Sequence, residues 1–140
     1  MKKLLFLPLC LLSAVLMGQT PNADYLAYIE AYKQAAVNQE LTYKIPASIT
    51  LAQGLLESGA GKSALAKEAN NHFGIKCHSD WTGATFTQDD DAVGECFRKY
   101  DSAEQSYEDH AKFLLRPRYQ QLFSLKISDY KGWARGLKEC

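Results

Sequence analysis

Apolar residues recur at helical spacing over most of the chain. The first such segment runs from Ala23 to about Gln39 and follows a cap at Thr20 or Asn22. Its predicted buried positions are Leu26, Ile29, Tyr32 or Lys33, and Ala36. We expect this helix to pack as part of the scaffold.

A second helix is predicted from Ile45 to Gly61, with Pro46 at its first position and Gly59 and Gly61 at its end. Its apolar stripe consists of Ile49, Leu51, Ala52, Leu55 and Leu56. Glu57 lies in the last turn, where the negative end of the helix dipole and apolar neighbours both favour a protonated carboxyl group. A general acid near neutral pH needs that form, whereas most surface glutamates are merely solvated.

In the middle of the chain the apolar period changes from about 3.6 residues to about 2 residues. Strands at 84–88 and 94–100, on either side of Asp89–Asp91, predict a hairpin. The elements around it are a helix at 62–69, a loop at 70–76, a turn at 81–83, a helix at 103–115 ended by Pro117, a helical turn at 119–125, and a last helix capped by Ser128 or Asp129 and running through 133–138. The pattern predicts an α+β domain that is mainly α.

Residues 1–19 have the composition of a secretory signal peptide, with two lysines, an apolar run and a small glycine. We therefore predict a signal peptide at 1–19, one domain at 20–140, and a secreted or periplasmic protein. The run is short for a membrane span, and a retained anchor is the alternative. A lipid anchor at Cys10 is not expected, because that cysteine lies inside the apolar run.

Charge and composition exclude several classes of protein. Lys plus Arg and Asp plus Glu both number 16, so there is no basic excess to bind nucleic acid. Hydrophobic residues make up 46% of the chain, which is typical of a globular domain and not of a disordered one. We expect a monomer without a metal or organic cofactor.

Three cysteines remain once the signal is removed, and export favours a disulfide. We predict a disulfide between Cys77 and Cys96, which would stabilise the small β-lobe. Cys140 is then the cysteine without a partner. The alternative is a metal site built from Cys77, Cys96, His78 and His72, but the spacing matches no compact zinc pattern.

Glycoside hydrolysis usually needs one protonated acid and one charged carboxylate. Glu57 fits the first role and Asp89–Asp91 the second, while Phe73, Trp81 and Tyr100 offer flat faces to sugar rings. The alternatives for the aspartates are a solvated turn or a calcium site, although the spacing is not that of an EF-hand.

The loop at 70–76 contains two adjacent asparagines, Asn70 and Asn71. Asparagine side chains often hold a turn through bonds to the local backbone. The alternative is that one amide points into a cleft and binds a polar substrate.

The segment from Ile45 to about Phe123 resembles the glucosaminidase domain of glycoside hydrolase family 73, the endo-β-N-acetylglucosaminidases of bacterial autolysins and of a flagellar rod protein. The matching stretches are LAQGLLESGAGKSALAKEANNHFGIK (Leu51 to Lys76) and ECFRKYDSAEQSYEDHAKFL (Glu95 to Leu114). The motifs A-Q-x-x-L-E-S-G-x-G, N-x-F-G-I-K and F-R-x-Y-x-S are specific in this order and at these distances. The resemblance implies a lysozyme-like fold, with a helical lobe, a small β-hairpin lobe and a cleft between them.

The resemblance also implies roles for single residues. Glu57 matches the proton donor of the L-E-S-G motif, Tyr100 matches a tyrosine that lines the cleft, and Asn71 matches the asparagine before x-F-G. The implied activity is cleavage of the β-1,4 bond after N-acetylglucosamine in the glycan strands of peptidoglycan. The rival functions are a lytic transglycosylase, in which a muramic acid hydroxyl replaces water, and a glycan-binding module without catalysis.

The chain departs from the family at the second acid and at the C-terminus. Many members carry a glutamate in a T-x-E motif, where this chain has Asp89 in a shorter hairpin. Asp90 and Asp91 are equal candidates and Glu95 is a further one, while the acetamido group of the substrate is an alternative to them all. Family domains usually continue with another helix, so we expect a chain shortened at Cys140. The cysteine bridge is not part of the general family pattern.

Overall fold

The computed structural model describes residues 20–140, so the predicted signal peptide lies outside the described part of the chain. In chain order the elements are helices α1 (Ala23–Tyr43), α2 (Ala47–Glu57) and α3 (Ala64–Ala69), strands β1 (Thr85–Gln88) and β2 (Glu95–Arg98), helix α4 (Ala103–Leu114), a 3₁₀ helix (Pro117–Ser124) and helix α5 (Tyr130–Glu139). The mainly helical α+β class is confirmed. None of the helices in this part of the chain combines the length and apolar character that a membrane span requires.

Three predicted helix starts are confirmed by their caps, whereas Pro46 precedes α2 as its N-cap and does not occupy the first helical position. The Asn22 side chain accepts hydrogen bonds from two N–H groups at the start of α1, at 2.9 and 3.3 Å. Ser102 accepts from the Gln105 N–H of α4 at 3.3 Å, while the Gln105 side chain accepts from the Asp101 N–H. Asp129 accepts from the Gly132 N–H of α5 at 2.9 Å.

The predicted buried face of α1 is wrong over its first half. Leu26 and Ile29 are exposed by 52% and 39%, whereas Tyr28, Ala36 and Gln39 are buried. The reason is a hydrogen bond across the core, 2.8 Å long, between the hydroxyl groups of Tyr28 and Tyr107, a residue of α4. A tyrosine pair that satisfies both hydroxyls thus takes the interior, and the aliphatic residues turn outward.

Helix α2 is likewise rotated from the predicted orientation. Ala52 and Leu56 are exposed, while Thr50 and Gly54 are buried together with Ile49 and Leu55. Gly54 allows this orientation, because a Cβ at that position would lie 2.6 Å from the Tyr28 hydroxyl and 3.0 Å from that of Tyr107. The tyrosine pair therefore packs against the bare backbone of α2.

Two apolar clusters form the helical lobe. The first surrounds the fully buried Trp133 of α5 and includes Ile45, Ile49, Ala111, Leu114 and Leu122. The second joins α1, α4 and the loop after α3, and consists of Ala36, Phe73, Ile75 and Tyr107. Helix α2 lies between them and contributes to the first through Ile49.

The β-lobe is one antiparallel hairpin, as predicted, with Thr85 opposite Arg98 and Gln88 opposite Glu95. The disulfide between Cys77 and Cys96 is confirmed and fastens the preceding loop to β2. Because both sulfurs are bonded to each other, the alternative metal site that used these cysteines is excluded.

Candidate active site

A cleft of about 330 Å³ opens between α2, the loop after α3, and α4. Its walls combine charged, amide, imidazole and apolar side chains. The lining residues are Gln53, Glu57, Phe73, Gly74, Ile75, Lys76, His78, His110, Phe113, Leu114, Tyr119 and Leu137. This mixture of flat apolar faces and a few polar groups is typical of a site for a polar organic ligand.

Glu57 is the last residue of α2 and lines this cleft, as predicted. Its side chain is exposed, so the expected cover by apolar neighbours is wrong. The next residue, Ser58, is buried and holds the helix end: its hydroxyl donates to the Gly54 carbonyl at 2.5 Å and accepts from the Gly61 N–H at 2.8 Å. The Glu57 carboxyl group thus lies at the solvent-exposed end of α2, next to a helix end that the Ser58 hydrogen bonds hold in place.

Phe73 also lines the cleft, in agreement with its predicted place in the site. Its ring stacks on the buried imidazole of His110, with 3.9 Å between centroids and 15° between planes. Burial lowers the pKa of His110 to about 3, which keeps the ring neutral. The Nε2 atom of His110 lies 3.1 Å from Oε1 of Gln53 on α2.

Gln53, His110 and Tyr119 are cleft residues that the sequence analysis does not identify. A signal for Gln53 exists, because it is the glutamine of the A-Q-x-x-L-E-S-G motif and stands one helical turn before Glu57. His110 and Tyr119 carry no comparable local signal.

Asn71 is 1% exposed, and its side chain is fully engaged with the loop backbone. The amide nitrogen donates to the carbonyls of Ile75 and Arg98, at 3.0 and 2.9 Å. The amide oxygen accepts from the N–H groups of Phe73 and Ile75, at 3.4 and 3.1 Å. These contacts favour the loop-holding alternative, and direct sugar binding by Asn71 stays a prediction.

Tyr100 and Trp81 line a different cavity, of about 230 Å³, together with Glu108, Asp109 and Lys112 of α4. The Tyr100 hydroxyl donates to Asp109 at 2.5 Å, and burial together with this bond raises its pKa. Trp81 donates to the Ala84 carbonyl and packs edge-on against Tyr100. The structure therefore does not bring these two aromatic residues to the Glu57 cleft.

The carboxylates of the hairpin do not line the cleft either. Asp89 accepts from the Gly94 N–H at 2.8 Å and so shapes the turn. Lys76, a cleft residue, places its ammonium 2.9 Å from Glu95, 3.1 Å from Asp91 and 3.9 Å from Asp90. Its hydrogen bonds to Glu95 and Asp91 raise the pKa of Lys76, so the ammonium already neutralises the position that a bound cation would take.

Comparison with known proteins gives one consistent family. The family model for mannosyl-glycoprotein endo-beta-N-acetylglucosaminidase matches residues 33–140. The exo-glucosaminidase LytG of Bacillus subtilis is 39% identical over 82 residues, which are 53% of this chain and 28% of LytG. The peptidoglycan hydrolase FlgJ of Pseudomonas aeruginosa is 39% identical over 89 residues, which are 54% of this chain and 22% of FlgJ.

The fold gives the same result. The crystal structure of a peptidoglycan hydrolase from Sphingomonas sp. A1 superposes with a TM-score of 0.70 at 34% identity, covering 81% of this chain and 75% of that one. The chain spans under a third of the length of the two curated relatives above. A family model that covers most of the chain and a related structure that matches most of its length together show that this chain belongs to the glucosaminidase family, glycoside hydrolase family 73.

Proposed function

We propose that this protein is exported to the cell envelope and hydrolyses the β-1,4 glycosidic bond after N-acetylglucosamine in peptidoglycan. The family is that of N-acetylglucosaminidases, and relatives in both comparisons are named as peptidoglycan hydrolases. The signal-like composition of residues 1–19 supports export.

The observation that carries the proposal is the position of Glu57. It is the carboxyl group at the end of α2, in a cleft whose walls include the rings of Phe73, Phe113 and Tyr119. Within residues 20–140 Glu57 forms no ion pair, so no other charged side chain occupies its carboxyl group and a glycosidic oxygen can approach it.

We assign the second chemical role to the acetamido group of the substrate. The candidates Asp89 and Asp90 do not line the cleft, and Lys76 engages Asp91 and Glu95. An acetamido oxygen that attacks the anomeric carbon replaces the second carboxylate in some glycosidases. Glu57 gives its proton to the glycosidic oxygen as the bond from that oxygen to the anomeric carbon breaks. Water then attacks the anomeric carbon and opens the cyclic intermediate, and the Glu57 carboxylate takes up the proton of that water.

The test is digestion of peptidoglycan by the purified protein, with the new chain ends identified by mass spectrometry. The wild type is expected to release reducing N-acetylglucosamine ends, and Glu57→Gln to release none. Glu68→Gln is the matched control, because Glu68 is an exposed glutamate on α3 outside the cleft lining. Its activity should equal that of the wild type.

The other products identify the rival functions. Anhydro-muramic ends would show a lytic transglycosylase, and wall binding without cleavage by either protein would show a binding module. A variant with Asp89, Asp90 and Asp91 all changed to asparagine tests whether the second chemical role belongs to the acetamido group of the substrate or to an aspartate. Retained cleavage supports the acetamido group, whereas a loss as large as that of Glu57→Gln assigns the role to an aspartate.

A further inference from the structure

Gln53 lies one helical turn before Glu57, and both side chains line the cleft. The Gln53 side chain is partly exposed, and its one side-chain hydrogen bond within residues 20–140 joins its Oε1 to His110 Nε2. The amide nitrogen therefore keeps both hydrogens for a molecule bound in the cleft. The proposed hydrolysis gives this amide no role so far.

The orientation of the Gln53 amide is set by His110. The imidazole is 5% exposed and stacks on Phe73, and its buried Nδ1 has no partner in the described part of the chain. A proton on Nδ1 would be an unpaired buried N–H, which is rarer and less favourable than an unpaired acceptor. The proton therefore lies on Nε2, which donates to the Gln53 carbonyl oxygen. The amide nitrogen consequently points away from the imidazole.

This hydrogen bond persists across the physiological pH range. Burial lowers the pKa of His110 to about 3, so the ring stays neutral and keeps its single proton. The ring cannot tilt freely, because the stack with Phe73 fixes its plane. The amide donor is thus held in place before a ligand binds, and little ordering is required on binding.

We infer that Gln53 donates a hydrogen bond to the acetamido oxygen of the sugar beside Glu57, and that His110 is the positioning residue for this donor. The inference rests on the proposed function. The glycosidic oxygen and the acetamido group sit on neighbouring carbons of one sugar ring, and Glu57 and Gln53 sit one turn apart on one helix. An amide N–H suits an acetamido oxygen, but it cannot pair with the ammonium of a de-N-acetylated sugar, which is a donor only.

The test measures binding in the Glu57→Gln background, where we expect no turnover. The two ligands are a β-1,4-linked oligosaccharide of N-acetylglucosamine and its de-N-acetylated counterpart, compared by calorimetry. Adding Gln53→Glu replaces the donor by an acceptor, so we expect about tenfold weaker binding of the acetylated ligand and a reversed preference. Unchanged affinity for both ligands would overturn the inference.

Two further variants separate binding from structure. Gln34→Glu makes the same charge change on an exposed position of α1 and should leave both affinities unchanged. His110→Phe keeps the stack on Phe73 and removes the Nε2 donor. It should weaken binding of the acetylated ligand about threefold while the unfolding temperature stays the same or rises, since the unpaired Nδ1 is gone. Unchanged binding in His110→Phe would refute the positioning role.

The two hypotheses fail in different ways. Cleavage of peptidoglycan by the wild type with normal binding by the Gln53→Glu variant would overturn this inference and leave the proposed function intact. Absence of both cleavage by the wild type and sugar binding by Glu57→Gln would overturn the proposed function, and the inference with it.

Discussion

Replacing Asn71 with alanine tests whether this residue holds the cleft loop or binds the sugar. The change removes a side chain that bonds four backbone groups between residues 73 and 98. The site is 1% exposed, so water does not replace these bonds without disrupting the loop. We therefore expect a large loss of stability and not a selective loss of activity.

The magnitude follows from the four bonds. Three of them, at 2.9, 3.0 and 3.1 Å, have ordinary lengths, and the fourth, to the Phe73 N–H, is long at 3.4 Å. Each ordinary bond contributes about 0.5–1.5 kcal/mol net, and an unpaired buried group costs somewhat more. The expected loss in the free energy of unfolding is about 3–5 kcal/mol, or roughly 10–20 °C in Tm for a domain of this size.

The assay is urea unfolding followed by circular dichroism, combined with peptidoglycan cleavage at a temperature where the variant remains folded. Asn70→Gly is the matched control, because Asn70 donates to only one carbonyl and has a φ of 52°, which glycine adopts easily. Its expected loss is at most about 1 kcal/mol. An Asn71→Ala variant that keeps its stability within about 1 kcal/mol but no longer cleaves would refute the reasoning.

Two further predictions concern the disulfide and the buried histidines. Reducing the bond between Cys77 and Cys96, which are 19 residues apart, should lower the unfolding free energy by about 3 kcal/mol, and an unchanged urea midpoint would contradict this. Burial lowers the pKa of both His72 and His110, so the unfolded chain binds more protons than the folded one below about pH 6.5. The unfolding free energy should be highest above that pH and fall as the pH drops from about 6.5 toward 3. The slope should be at most about 1.4 kcal/mol per pH unit for each histidine. An unfolding free energy that is the same at pH 7 and pH 5 would contradict this prediction.

Local features of the fold can be predicted from the sequence because they depend on neighbouring residues. The side chains of Asn22, Ser102 and Asp129 bond N–H groups two or three positions ahead, and a short apolar alternation with an acidic tip defines the hairpin. The orientation of the helices about their own axes is a different matter. This orientation depends on the hydrogen bond between Tyr28 and Tyr107, which lie 79 positions apart in the sequence. The spacing of apolar residues within one helix carries no information about a partner in another helix.

The site shows the same division. Glu57 and Phe73 lie in the cleft as predicted, since the helix end and the loop that carry them are defined locally. Tyr100 and Trp81 lie in another cavity because the Tyr100 hydroxyl donates a hydrogen bond to Asp109 on α4. The presence of an aromatic residue in the sequence does not indicate which acceptor its hydroxyl group will bond. The motif and the spacing to Glu57 indicate that Gln53 lies in the site, but its bond to His110 joins residues of two different helices and has no local signal.

The position of the acid is set by groups that never touch it. Each residue advances a helix by about 100°, so turning α2 by one position would carry Glu57 out of the cleft. Such a rotation would also turn a neighbour of Gly54 toward the hydroxyls of Tyr28 and Tyr107, where a Cβ at the position of Gly54 would already lie 2.6 and 3.0 Å from the two oxygens. In this orientation Leu56, which the aliphatic pattern assigns to the core, is 69% exposed. The orientation of α2 that leaves Leu56 exposed is therefore the same orientation that carries Glu57 to the cleft, and the apolar pattern of this helix alone predicts neither.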